Sequence, residues 1–147
     1  MCKPIIILLA SVCEAILCDL HMRIKEHTSK GVRNITRGVI QYISNKRIEK
    51  FDTYIKSTRK HDFFDASDSD LYDVLDGLRK LRNRVHIQNS KKHFERDERK
   101  AFSHARQIKA EEAVEKILKT MAAKYARSSH ATGFVEDFVL PWKEHYS

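Results

Sequence analysis

The sequence predicts an all-α protein: an up-and-down bundle of four to five helices followed by an extended tail. Three observations predict it. Gly 4 and Pro 2 in 147 residues are far below the about 10 and about 7 of average usage. That excludes collagen-like, Pro-rich and Gly/Ser-linker classes and counts against a sandwich or barrel, which needs many tight turns. Apolar residues recur at intervals of three and four along several stretches, the mark of amphipathic helices. The length and a mass of 17.2 kDa suit one domain, 1–147, with its body at about 4–127 and its tail at about 128–147. A domain of this size buries roughly 70% of the surface its unfolded chain exposes, enough for a core.

The first helix is expected over 4–27, with Pro4 in its first turn and Gly31 beyond its end. Its first half is apolar nearly all round, as in a central or interface helix. One narrow polar stripe crosses it, made of Ser11, Glu14, Cys18, His21 and Lys25, which fall within roughly 80° at 100° per residue. A structural hydrogen bond between Glu14 and His21 is expected there. Residues 31–64 read as two helical stretches broken near Ser44 and Asn45 and ended by Phe63 and Phe64. The run 65–70 is a loop rich in N-cap residues, and its acids suit a helix's positive end. Leu71, Val74, Leu75, Leu78, Leu81 and Val85 form one stripe on the best-defined helix, 69–88. A last helical region, 97–126, has room for a kink. Phe102, Ala105, Ile108, Val114, Ile117, Leu118, Met121 and Tyr125 are its expected core residues. The stretch 133–142 reads as a tail that packs on the body or on a partner.

Twenty-eight Lys and Arg against 20 acids give +8 at pH 7, which suits polyanion partners, nucleic acid first, or simply solvated helix faces. The three cysteines, Cys2, Cys13 and Cys18, are odd in number and form no zinc-site spacing. They read as free thiols of a reducing, cytoplasmic setting. The apolar stretch 5–18 behind Lys3 resembles a signal peptide. Glu14, the lack of a small-x-small cleavage site and the amphipathic continuation to Lys25 favour a buried helix instead, with no membrane partner. Asp62, Asp65, Asp68 and Asp70 lack the glycine and closing Glu of an EF-hand, so no metal site is expected. Lys91, Lys92 and the charge run 96–100 read as a solvated face.

The chemistry-bearing stretch is Leu78-Arg79-Lys80-Leu81-Arg82-Asn83-Arg84-Val85-His86. Arg79 and Arg82 lie within about 40° of His86 around the helix, and Asn83 at about 60°. Tyr72 shares that side further up, and Arg84 points away. The apolar stripe runs beside the group, so these residues sit on the margin of a buried face. Arginines neutralise phosphate oxygens in a fixed fork geometry, and a histidine moves protons near neutral pH. The structural alternative is that His86 caps the helix's negative end while the arginines solvate its flank.

This wording resembles the motif of the HEPN superfamily, helical and commonly ribonucleolytic domains that carry Arg, a polar residue such as Asn, and then His on a late core helix. Leu81-Arg82-Asn83-Arg84-Val85-His86 matches the wording. Three residues separate Arg82 from His86 and six separate Arg79 from it, where the family has four to six. The first helix, with Val12-Cys13-Glu14-Ala15-Ile16-Leu17, resembles the family's long apolar helix with an acidic residue. The resemblance covers about residues 4–125. It implies a homodimer whose Arg/His motifs share one cleft, and metal-independent RNA cleavage through the ribose 2′-hydroxyl. It gives His86 the general acid/base role and Arg82, with Arg79, the phosphorane. Asn83 becomes an orienting residue, with Glu14 and Tyr72 as supports. It implies no cofactor. Some members are toxins or phage-defence proteins, so a protein inhibitor or antitoxin is an implied partner. Others are non-catalytic interaction or nucleic-acid-binding modules. A small DNA-binding regulator suits the charge, but no helix-turn-helix signature is present.

Overall fold

The computed structural model describes residues 2–26, 32, 34–86 and 98–126, with the side chains of 85, 86 and 98 outside the description. The described residues form helices and connecting turns, without a strand: α1 (Cys2–Glu26), α2 (Arg37–Ser44), α3 (Phe51–His61), α4 (Leu71–His86), α5 (Glu98–Ala101) and α6 (His104–Lys124). The expected tail, Lys91, Lys92 and residues 96–97 of the charge run lie outside the described residues, and residues 98–100 of that run fall in α5.

α1 is the central helix and packs on α2, α3, α4 and α6. Its buried residues, Ile6, Leu9, Ala10, Cys13, Leu17, Leu20, His21 and Ile24, repeat at three and four, so one face meets the core over its whole length. Burying one such leucine is worth about 1.5–3 kcal/mol. Burial also pushes the Cys13 thiol up to about 12, which makes it an inert core residue. All three cysteines are free. By length and composition α1 suffices to cross a membrane, yet its buried set includes His21 and Arg23.

The expected break near Ser44 is real, and 45–50 separate α2 from α3. α3 ends at Asp62, whose left-handed backbone (φ 45°) closes the helix, a conformation that Asp tolerates better than most residues. The Asp62 carboxylate then accepts hydrogen bonds from the Ala66 amide (2.8 Å) and the Tyr72 hydroxyl (2.7 Å). Asp65 and Asp70 meet Lys124 and Lys109, each at 3.1 Å. The acid-rich loop is therefore a clasp between α3, α4 and α6. The expected kink in the last helical region is a full break at Phe102, after which Ser103 caps α6 by accepting from the Arg106 amide (3.3 Å). Two expected core residues of that region face solvent: Ala105 is exposed and Ile108 is 42% exposed. The buried face of α6 is set instead by Gln107, Ala110, Ala113, Val114 and Ile117.

At the far end of α1, Arg23 donates to the Tyr125 carbonyl and the Tyr125 hydroxyl donates to the Phe63 carbonyl (2.7 Å). His21 lies fully buried beside this anchor, 5.1 Å from the Tyr54 ring and 5.9 Å from Phe63. Its Nδ1 pairs with the Leu17 carbonyl at 2.7 Å, while Nε2 has no partner. The expected Glu14–His21 bond is not formed, because two helical turns hold them about 10 Å apart along the axis.

Burial lowers the His21 pKa to about 4, and the Leu17 carbonyl only partly offsets this. The unfolded chain therefore binds the extra proton between about pH 6.5 and pH 4, and stability falls as pH falls through that window. The loss is roughly 3 kcal/mol for a shift of this size. Thermal unfolding between pH 7 and pH 4 checks it: Tm drops steeply in wild type, and most of that slope is absent in His21→Phe.

Candidate functional site

The chemistry-bearing residues meet at the seam of α1 and α4. α4 buries Leu71, Leu75, Leu78 and Leu81, which turns Arg79 and Arg82 to the border of the core. Their side chains are 23% and 26% exposed, as the margin position in the sequence predicts, whereas Asn83, expected on the same margin, is exposed. Arg82 reaches across to the Glu14 carboxylate of α1 and forms a half-buried ion pair. Arg79 pairs along its own helix with Asp76 at 2.8 Å, and Lys80 takes the other oxygen of Asp76 at 2.8 Å. Burial works against the Asp76 charge, but the hydrogen bonds from Lys80 and Arg79 outweigh it and hold the carboxyl below its usual range.

Glu14, Arg79, Arg82 and Asn83 line one cleft of about 290 Å³, completed by Glu49, Lys50, Phe51 and Asp52 from the start of α3. Among the lining groups, three cations face three carboxylates, so the cleft is electrically balanced rather than basic. Arg82 keeps guanidinium donors beyond the one given to Glu14, since the group carries five. The Glu14 bond fixes the fork's orientation and lowers its net attraction for anions. A larger groove of about 320 Å³ runs between α4 and α6. Val74, Gly77, Leu78 and Leu81 make its floor apolar, and none of Arg79, Arg82 or Asn83 lines it.

His86 is the last residue of α4, one turn beyond Arg82, and its side chain lies outside the described residues. Tyr72 is not in the cleft. It is spent on the α3–α4 clasp, donating to Asp62 and accepting from the Phe64 amide at 3.3 Å. Burial, reinforced by Asp62, raises its phenol well above the usual range. Tyr72 shares an angular side with Arg82, but ten residues of rise put it about 15 Å away along the axis. The sequence reading missed Glu49, Lys50 and Asp52, which reach the cleft only through tertiary packing. It also missed Asp76, for which the i to i+3 and i to i+4 spacings to Arg79 and Lys80 were a readable signal. Among the described residues no group of three or more His, Cys, Asp or Glu is placed to hold a metal ion.

No protein-family model, curated protein or solved structure matches this chain. The site therefore stands on its geometry.

A double-mutant cycle measures the central pair. Glu14→Gln and Arg82→Gln, singly and together, are compared by urea unfolding. A half-buried pair of this kind predicts a coupling of about 1 kcal/mol that shrinks at high salt. Additive losses would mean that the two side chains do not meet.

Proposed function

We propose that the protein is a cytoplasmic, metal-independent endoribonuclease of HEPN type. The observation that carries this reading is the convergence of Arg79, Arg82, Asn83 and Glu14 on one cleft at the end of α4, whose last residue is His86. In this reading the ribose 2′-oxygen attacks the adjacent phosphorus and the bond to the 5′-oxygen breaks. The products are a 2′,3′-cyclic phosphate and a 5′-hydroxyl. His86 moves the protons, Arg82 with Arg79 steadies the charge that builds on the phosphorane, Asn83 orients the phosphate, and Glu14 aims Arg82. A role as a toxin or defence component, held in check by a protein inhibitor, fits such an activity.

A second copy completes the reading. Leu8, Ala15 and Met22 are exposed and lie seven residues apart, forming a straight stripe along α1, with Leu8 64% and Met22 49% exposed. Such a stripe suits helix pairing in a homodimer. Ser11 and Cys18 lie between it and the Glu14 side of the helix, so pairing there brings two clefts close together. Light scattering at micromolar concentration is expected to give about twice 17.2 kDa, and Leu8→Glu to give the monomer. A monomeric wild type removes the dimer from the account.

One observation favours a second reading, a non-catalytic interaction or nucleic-acid-binding module: both cleft arginines already carry a carboxylate partner. Mixed RNA incubated with the pure protein in a chelator separates the two. The nuclease reading predicts cleavage by wild type, reduced about 10² to 10⁴-fold in His86→Ala with little change in RNA affinity. Arg82→Ala loses affinity and rate together, because a cation contacts phosphate in ground state and transition state alike. Arg84→Ala, outside the cleft, changes neither. No cleavage by wild type leaves the binding module, and equal cleavage by His86→Ala removes His86 from the chemistry.

A further inference from the structure

The balanced cleft leaves a question that the proposed function depends on: which part of the surface attracts a polyanion. Residues 37–61 carry seven Lys and Arg against two acids, a strongly positive stretch. Arg47, Lys56 and Arg59 are each matched to a carboxylate, Glu49 at 2.8 Å, Asp52 at 3.4 Å and Asp73 at 2.7 Å. Lys46 and Lys60 have no carboxylate within ion-pair distance among the described residues. Instead both converge on Tyr42, with Nζ at 4.6 Å and 3.9 Å from its ring centre. The ring face holds each ammonium group, and together they concentrate positive charge at one exposed point.

Tyr42 is a fixed platform for that pair. Its ring meets His61 edge-on at 4.9 Å, and His61 in turn stacks on the buried Phe63 at 5.5 Å. The three groups come from different places: Tyr42 from α2, Lys46 from the turn after it and Lys60 from the last turn of α3. Their meeting is a product of the fold. The neighbouring Lys46 and Lys60 ammonium groups lower the Tyr42 phenol below its usual range and leave its proton a stronger donor. Lys46 stands four residues before Lys50 of the cleft, a span of at most about 14 Å.

We propose that Lys46, Lys60 and the Tyr42 hydroxyl form a phosphate-binding point for the RNA backbone, next to the cleft and separate from it. The inference rests on the RNA reading above. It divides the work: this cationic point supplies attraction, and the balanced cleft supplies orientation at the scissile phosphate.

Binding of a labelled single-stranded RNA oligomer by the full chain, in chelator and over a salt series, tests this. Lys46→Gln/Lys60→Gln is expected to weaken binding about tenfold at low salt. The slope of log affinity against log salt should fall by about 0.7 for each phosphate that a removed lysine had neutralised. Lys116→Gln/Lys119→Gln, both exposed on α6, removes the same two charges elsewhere and should bind as wild type does. Unfolding curves establish that the double variant is folded. Wild-type affinity and slope in the double variant, together with weakened binding in Arg82→Ala, would place RNA at the cleft alone and overturn this site. No RNA binding by wild type at low salt would overturn the RNA reading and this site with it.

Discussion

The ion pair between Glu14 and Arg82 is the constraint on which the arrangement turns. It joins the central helix to the motif helix at a half-buried point, where a charge left single is costly. The buried apolar face of α1 sets the rotation that directs Glu14 at α4. Leu17, Leu20 and Ile24 enter the core, and Leu8, Ala15 and Met22 are left outside. The same pair orients the guanidinium fork at the cleft. One contact thus links the packing of the bundle, the exposed stripe of α1 and the geometry of the site.

The charge balance separates two demands that a basic protein otherwise merges. An unpaired arginine binds any phosphate tightly but wanders, whereas an arginine held by a carboxylate keeps one orientation and gives up attraction. Here the cleft arginines are held, by Glu14 and by Asp76. Two lysines with no carboxylate at ion-pair distance among the described residues, Lys46 and Lys60, meet instead at Tyr42, on the α2–α3 face. Preorganised groups of the first kind favour a transition state, and loose cations of the second kind favour encounter.

The helices were legible because each announces itself locally. The intervals of Leu71, Val74, Leu75 and Leu78 define α4, and the polar break at 44–50 separates α2 from α3. The clasp residues at 65–70 were legible as a polar loop, but their partners Lys109 and Lys124 were not, being tens of residues away. The same holds at the site. Arg79, Arg82 and Asn83 were readable from helical angle, and Glu14 from its place on an apolar helix. Their pairing across 68 residues is a tertiary fact. Angle without rise misplaced Tyr72 and suggested a Glu14–His21 bond. In α6 the apolar residues occupy two sides, and periodicity alone assigned Ile108 to the core although packing buries the Val114 side.

The chemistry of the RNA ends tests the central claim most directly. RNA is incubated with wild-type protein in a chelator, and the new termini are identified. The proposed mechanism, with the 2′-oxygen as nucleophile served by His86 and Arg82, predicts 2′,3′-cyclic phosphate and 5′-hydroxyl ends. Intact RNA, or cleaved RNA bearing 3′-hydroxyl and 5′-phosphate ends, would contradict it.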